Sequence, residues 1–129
     1  MPTLRSHVVI DAAPEAVWKV VRDAAAVADW FPAMARSWGD DTHRTVVLAD
    51  GSTLEEAVVT ADPVLRRFQY RVVGGDLSVE QHLGTVDVIE LEPQRSLVVY
   101  STEIEPAALA GPFEAAISEA VRTLPTHVA

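Results

Sequence analysis

From residue 35 to residue 105 the chain is a succession of short β-type runs separated by turn-forming pairs, and helical patterns occur only on either side of that stretch. RTVVLAD and STLEEAVVT meet at Asp50-Gly51, a pair that closes two-residue hairpins because both residues accept a left-handed backbone. Asp62-Pro63 marks a turn before RRFQYRVV, and Gly74-Gly75-Asp76 marks another. Pro93-Gln94 joins the two longest runs, VEQHLGTVDVIELE and RSLVVYSTEIE, and residues 36–40 make one more short strand. Links this short pair each strand with its sequence neighbour, so the expected sheet is an antiparallel meander.

The first run, TLRSHVVID over residues 3–11, puts Leu4, Ser6, Val8 and Ile10 on one face and brings the count to seven strands. Two short helices follow it. Pro14 suits a first helical position, Glu15 suits the positive helix end, and Val17, Trp18 and Val21 share a face. A second helical piece, AAAVADW, ends at Pro32. The C-terminal segment carries Phe113, Ile117, Val121 and Leu124 on one stripe, with Gly111-Pro112 dividing it and Pro112 starting the main helix. Trp18 and Trp38 are expected in the core.

At 129 residues and 49% hydrophobic, the chain is expected to form a single domain over residues 1–129 with a substantial core. It has no cysteine, which excludes a disulfide framework, a thiolate nucleophile and cysteine-based zinc sites. Ten basic residues stand against nineteen acidic ones, for a formal charge of −9, and Lys19 is the only lysine. That balance argues against nucleic acid and against an anionic membrane surface. No apolar run approaches the roughly 20 residues of a membrane span, and the chain enters a strand without a leader pattern, so the expected location is the cytoplasm.

The order of one strand, two helices, six strands and a long helix carries a resemblance. IDAAPEAVWKVVRDAAAVADWFP, RTVVLADGSTLEEAVVTAD, RRFQYRVV, VEQHLGTVDV and SLVVYSTEIEP resemble the polyketide cyclase/dehydrase and lipid-transport group of the START-like, Bet v 1-like superfamily. The resemblance implies an α+β helix-grip fold, in which a seven-stranded curved antiparallel sheet wraps a C-terminal helix over an internal cavity. It also implies a small hydrophobic ligand, lipid-like or polyketide-like, and in some members cyclisation or dehydration. Fold alone gives a site and not a reaction. Two departures stand out. The helix after Pro112 is short, about 13 residues or near 20 Å, and the segment from Trp30 to Arg44 is compact. Edge strands and a short helix point to a homodimer.

Period-two alternation sends Phe68, Tyr70 and Val72 inward from one strand, and Val98, Tyr100, Thr102 and Ile104 from another. Alignment to the family adds Leu54, Glu56 and Val58, and also His82, Gly84, Val86 and Val88. The expected ligand wall therefore includes Phe68, Tyr70, Tyr100, Thr102 and Ile104, with Phe113 and Ile117 from the helix. Trp30 and Phe31 either gate the cavity or pin the helix pair to the sheet.

Glu56 and His82 are the candidate catalytic pair. A carboxyl group among aromatic rings resists ionisation, and an imidazole titrates near neutrality, so together they suit proton removal beside a carbonyl and protonation of a leaving hydroxyl. The competing reading makes Glu56 one half of a buried ion pair with Arg44 or Arg71, and His82 a polar liner or a satisfied core residue. His7, His43, His82 and His127 lack metal-ligand spacing, and Asp40-Asp41 and Glu55-Glu56 alternate faces, so no metal site is expected. The serines lack an elbow context, Gly74-Gly75 is too short to cradle a phosphate, and no cofactor is implied.

Overall fold

The computed structural model describes residues 1–128. Its strands are β1 (Thr3–Ile10), β2 (Met34–Gly39), β3 (His43–Leu48), β4 (Thr53–Asp62), β5 (Arg67–Gly75), β6 (Gln81–Glu92) and β7 (Arg95–Glu105). They form one sheet in the order β1-β7-β6-β5-β4-β3-β2, and every neighbouring pair is antiparallel. From β2 to β7 the sheet is a meander. Helix α1 (Pro14–Val21) and a 3-10 segment (Ala24–Asp29) carry the chain from one sheet edge to the other. Helix α2 (Ala110–Thr123) then lies across the inner face, with a 3-10 turn (Leu124–His127) continuing it. No helix among the described residues is long and apolar enough to cross a membrane.

Each element follows from local chemistry. Helix α1 has no side-chain cap, but Pro14 occupies its first turn with Glu15, and Lys19 sits in its last. It buries Val17, Trp18 and Val21 against the sheet. Helix α2 buries Ile117, Ala120 and Val121, and Leu124 continues that stripe. Fully burying side chains such as Ile, Val or Leu contributes roughly 1.5–3 kcal/mol each, so the second half of α2 holds the helix down. Ser6 and Ser118 hydroxyls bond at 2.8 Å, tying β1 to the same half of the helix.

Three expectations need correction. The Asp50-Gly51 hairpin is a three-residue loop: Gly51 N–H donates to Leu48 O, and Gly51 takes φ 87°. That is a tight turn followed by a left-handed residue. Helix α2 starts at Ala110, so Gly111 and Pro112 sit inside its first turn and do not divide it. Trp38 is no core residue, being 50% exposed. A bulge between Met34 and Arg36 shifts the β2 register by one and pairs Trp38 with Thr45 on the convex face, where Arg36 stacks over the indole at 5.5 Å.

Candidate functional site

The concave face of the sheet carries the inward residues of β3 to β7, and the second half of α2 fills most of it. Val98, Tyr100, Thr102 and Ile104 from β7 are at most 1% exposed and form the floor under α2. Towards the first half of α2 the packing opens into a cavity of about 340 Å³. Phe31, Met34, Leu48, Leu54, Tyr70, Phe113 and Ile117 line it, with Glu56 and His82 as its interior polar residues. Ala49 and Asp50 of the β3–β4 hairpin, Ala33 just before β2, Leu77, Pro112 and Ala116 complete the lining.

Glu56 lies directly across from Arg44 in the β3–β4 ladder, and Arg44 Nε donates to Glu56 Oε1 at 2.7 Å. Both side chains are 2% exposed. Arg44 also donates to the Ala24 carbonyl at 3.1 Å, and its guanidinium stacks over the Tyr70 ring at 4.6 Å. Burial pushes the Glu56 carboxyl up, while the charge and hydrogen bond of Arg44 pull it back down. Of the two arginines weighed as partners, Arg44 takes the role; Arg71 is opposite Ala57 and exposed.

His82 occupies a break in the sheet. The β5–β6 ladder runs from Arg67↔Asp87 to Tyr70↔Gly84 and stops there. Beyond that point the Val72 N–H donates to His82 Nδ1 at 3.1 Å, so the imidazole takes the place of a backbone acceptor. Burial first, then the nearby charges of Arg44 and Arg71, lower its pKa to about 4. The ring is therefore neutral at physiological pH. It packs against Tyr70 at 5.2 Å and edge-on to Phe113 at 5.9 Å.

The Tyr70 and Tyr100 hydroxyls bond to each other, and burial raises both phenols, so both stay protonated. Tyr70 can lie flat across β6 only because residue 84 is glycine: a Cβ there would sit 2.5 Å from Tyr70 Cζ.

Among the residues expected at the ligand wall, Phe31, Tyr70, Phe113 and Ile117 line the cavity together with Glu56 and His82. Tyr100, Thr102 and Ile104 belong to the packed floor, outside the lining. Phe68 lines a separate cleft beside Trp18 and Lys19. Trp30 packs on Tyr100 at 6.2 Å and borders a groove near His127, so it pins the helix pair to the sheet while Phe31 reaches the cavity. Leu48, Leu77, Ala116 and the hairpin residues were not singled out from the sequence. Leu48 ends β3 and Ala116 follows Phe113 by one turn of α2, while Leu77 and the hairpin residues reach the site through loop placement, which strand periodicity does not encode. Among the described residues no three His, Asp or Glu side chains come together as a metal site.

Solved structures share this architecture. The protein XoxI from Bacillus cereus superposes with a TM-score of 0.89 at 23% identity, covering 99% of this chain and 96% of that one. A START superfamily protein from Mycobacterium smegmatis gives 0.76 at 19% identity, covering 98% and 96%. Norcoclaurine synthase from Thalictrum flavum, in complex with dopamine and hydroxybenzaldehyde, gives 0.71 at 18% identity, covering 98% and 87%. No curated protein matches the sequence. With the helix-grip fold established, residues 1–124 match the polyketide cyclase / dehydrase and lipid transport family, and the chain belongs to it.

Proposed function

We propose that this protein binds a small, mostly apolar molecule in the cavity beneath the first half of α2. One observation carries this reading. The space of about 340 Å³ is walled by Phe31, Met34, Leu54, Phe113 and Ile117, with few polar residues: Glu56, His82, Tyr70 and, at the hairpin, Asp50. A concave apolar wall with few polar groups is the usual form of a small-molecule site, and the volume lies within the roughly 300–1,000 Å³ such sites occupy. The norcoclaurine synthase structure, solved with two small aromatic compounds, gives the fold a precedent for ligands of this size. Native mass spectrometry of the purified protein tests the reading. A bound small molecule is expected on the wild type and absent from Ala116→Phe, which fills the cavity. A persistent adduct on the filled variant counts against it.

A second reading makes Glu56 and His82 an acid–base pair for cyclisation or dehydration. In its favour, both residues line one cavity. The Arg44 ion pair weighs against it, because it spends the Glu56 charge on a structural contact. His82, with its pKa lowered to about 4, is a weak base. Binding without turnover therefore fits the geometry better. Turnover of a polyketide-like substrate that disappears in Glu56→Gln would favour the enzyme instead.

A further inference from the structure

Two polar atoms of the cavity are left over once the protein's own hydrogen bonds are made. His82 accepts the Val72 N–H at Nδ1, so the neutral ring carries its proton on Nε2, and Nε2 makes no hydrogen bond among the described residues. Glu56 gives Oε1 to Arg44, and its Oε2 makes none either. Among the described residues, the buried side-chain polar atoms that are both unpartnered and sealed off are Trp30 Nε1 and Thr102 Oγ1. Nε2 and Oε2 are not sealed, and the space the two residues share is the cavity. His82 also borders a cleft with Arg71 and Glu80; on the cavity side the two residues offer one donor and one acceptor on a wall that is otherwise apolar apart from Tyr70 and, at the hairpin, Asp50.

Their charge environment is also defined. The charged residues lining the cavity are Asp50 and Glu56, and Arg44 is already matched by Glu56. An entering carboxylate would meet Asp50 and the Arg44-matched Glu56, with no cation in the lining to replace its lost hydration. Glu56 sits opposite Val72, and the Val72 N–H donates to His82, so the two residues come from β4 and β6 with β5 between them. Both side chains line the one cavity of about 340 Å³, a volume suited to a ligand built on a single ring.

Building on the cavity reading above, we propose that its ligand is an uncharged, mainly apolar molecule with a carbonyl-type acceptor for His82 Nε2–H. On the other side of a ring-sized spacer it carries a hydroxyl-type donor for Glu56 Oε2, and free carboxylic acids are rejected. His82 sets the polarity of the ligand and not only its fit.

Calorimetric titration of four probes tests this: para-hydroxybutyrophenone, para-methoxybutyrophenone, para-butylphenol and para-butylbenzoate. The hydroxyketone is expected to bind about tenfold more tightly than either the methoxyketone or the butylphenol, one hydrogen bond being lost in each case. The benzoate is expected not to bind. His82→Asn keeps an acceptor for the Val72 N–H while deleting the Nε2 donor. It should bring the hydroxyketone down to the affinity of the butylphenol and leave the butylphenol unchanged. A variant that loses its native circular dichroism is set aside, and the wild-type series then decides. Neutral probes that bind wild type but not Ala116→Phe, with no preference among them, overturn the inference alone. So does tight binding of the benzoate, or a preference that survives His82→Asn. No binding by any probe, or equal binding to Ala116→Phe, overturns both the inference and the cavity reading beneath it.

Discussion

Arg44 and Glu56 meet across one rung of the β3–β4 ladder, and their energetics are set by burial as much as by attraction. Both are removed from water, so the Coulombic gain largely offsets desolvation, and the pair is worth little against an apolar substitute. Breaking it is another matter. Arg44→Met leaves the Glu56 carboxyl unpaired and removes the cation from above Tyr70, so a loss of about 3–5 kcal/mol is expected in urea unfolding. The double variant Arg44→Met/Glu56→Leu should recover most of that loss. A double variant no more stable than the single one would show that the pair, and not its desolvation balance, holds the strands. His82 gives a pH signature of the opposite kind. Its folded pKa of about 4 lies below the ordinary imidazole value of 6.5, so the unfolded chain takes up the proton first. The contribution is present above the unfolded value and is lost as pH falls through the window down to about 4, up to roughly 3 kcal/mol. Unfolding midpoints measured across that window should fall more steeply for wild type than for His82→Asn; parallel slopes would remove His82 from the account.

At the scale of elements, the contact between β5 and β6 depends on one missing side chain. Tyr70 stands opposite Gly84, and a Cβ at that position would come within 2.5 Å of Tyr70 Cζ. Gly84→Ala is therefore expected to push the ring away from Tyr100 and cost about 1–3 kcal/mol, much of it recovered by Tyr70→Leu in the same chain. Additive losses in the double variant would place the strain elsewhere. The faces of β5 and β7 were legible because period two admits a single burial pattern wherever one face is packed. Trp38 was not, because the bulge before Arg36 inverts the parity of β2 and leaves no mark in the composition. The ion pair shows how fine the margin is. A two-residue loop at Asp50-Gly51 would set Arg44 opposite Ala57, and the three-residue loop that forms sets it opposite Glu56. Which partner Glu56 takes thus follows from Gly51 adopting a left-handed backbone. The gap that seats His82 begins where β5 stops pairing with β6, and nothing local in either strand announces that stop.

Across the whole molecule, the last segment of the chain closes what the first strand opens. β1 pairs with β7 at one edge of the sheet, and α2 crosses the inner face to meet β1 through Ser6 and Ser118. Apart from the buried Arg44–Glu56 pair, that closure leaves the acidic and basic residues of the chain on one small surface, with a net charge of −9. Several exposed ion pairs answer part of it, among them Arg66 with Glu15 at 2.7 Å and Arg67 with Asp87 at 2.8 Å. Exposed pairs are worth about 0–1 kcal/mol each and weaken in salt. The acids in excess of the bases repel one another, and salt relieves that repulsion too. The two effects have opposite signs, and the numbers decide between them: few pairs are well formed, while nine negative charges remain without a counterpart. Raising sodium chloride from about 0.01 M to about 1 M shortens the screening length from about 30 Å to about 3 Å. The thermal midpoint should therefore rise over that range. Chloride is the right anion for the measurement, since sulfate also strengthens apolar burial. A midpoint that falls with added chloride would mean that the ion pairs outweigh the excess charge, and that the acidic surface is organised more tightly than its residue count implies.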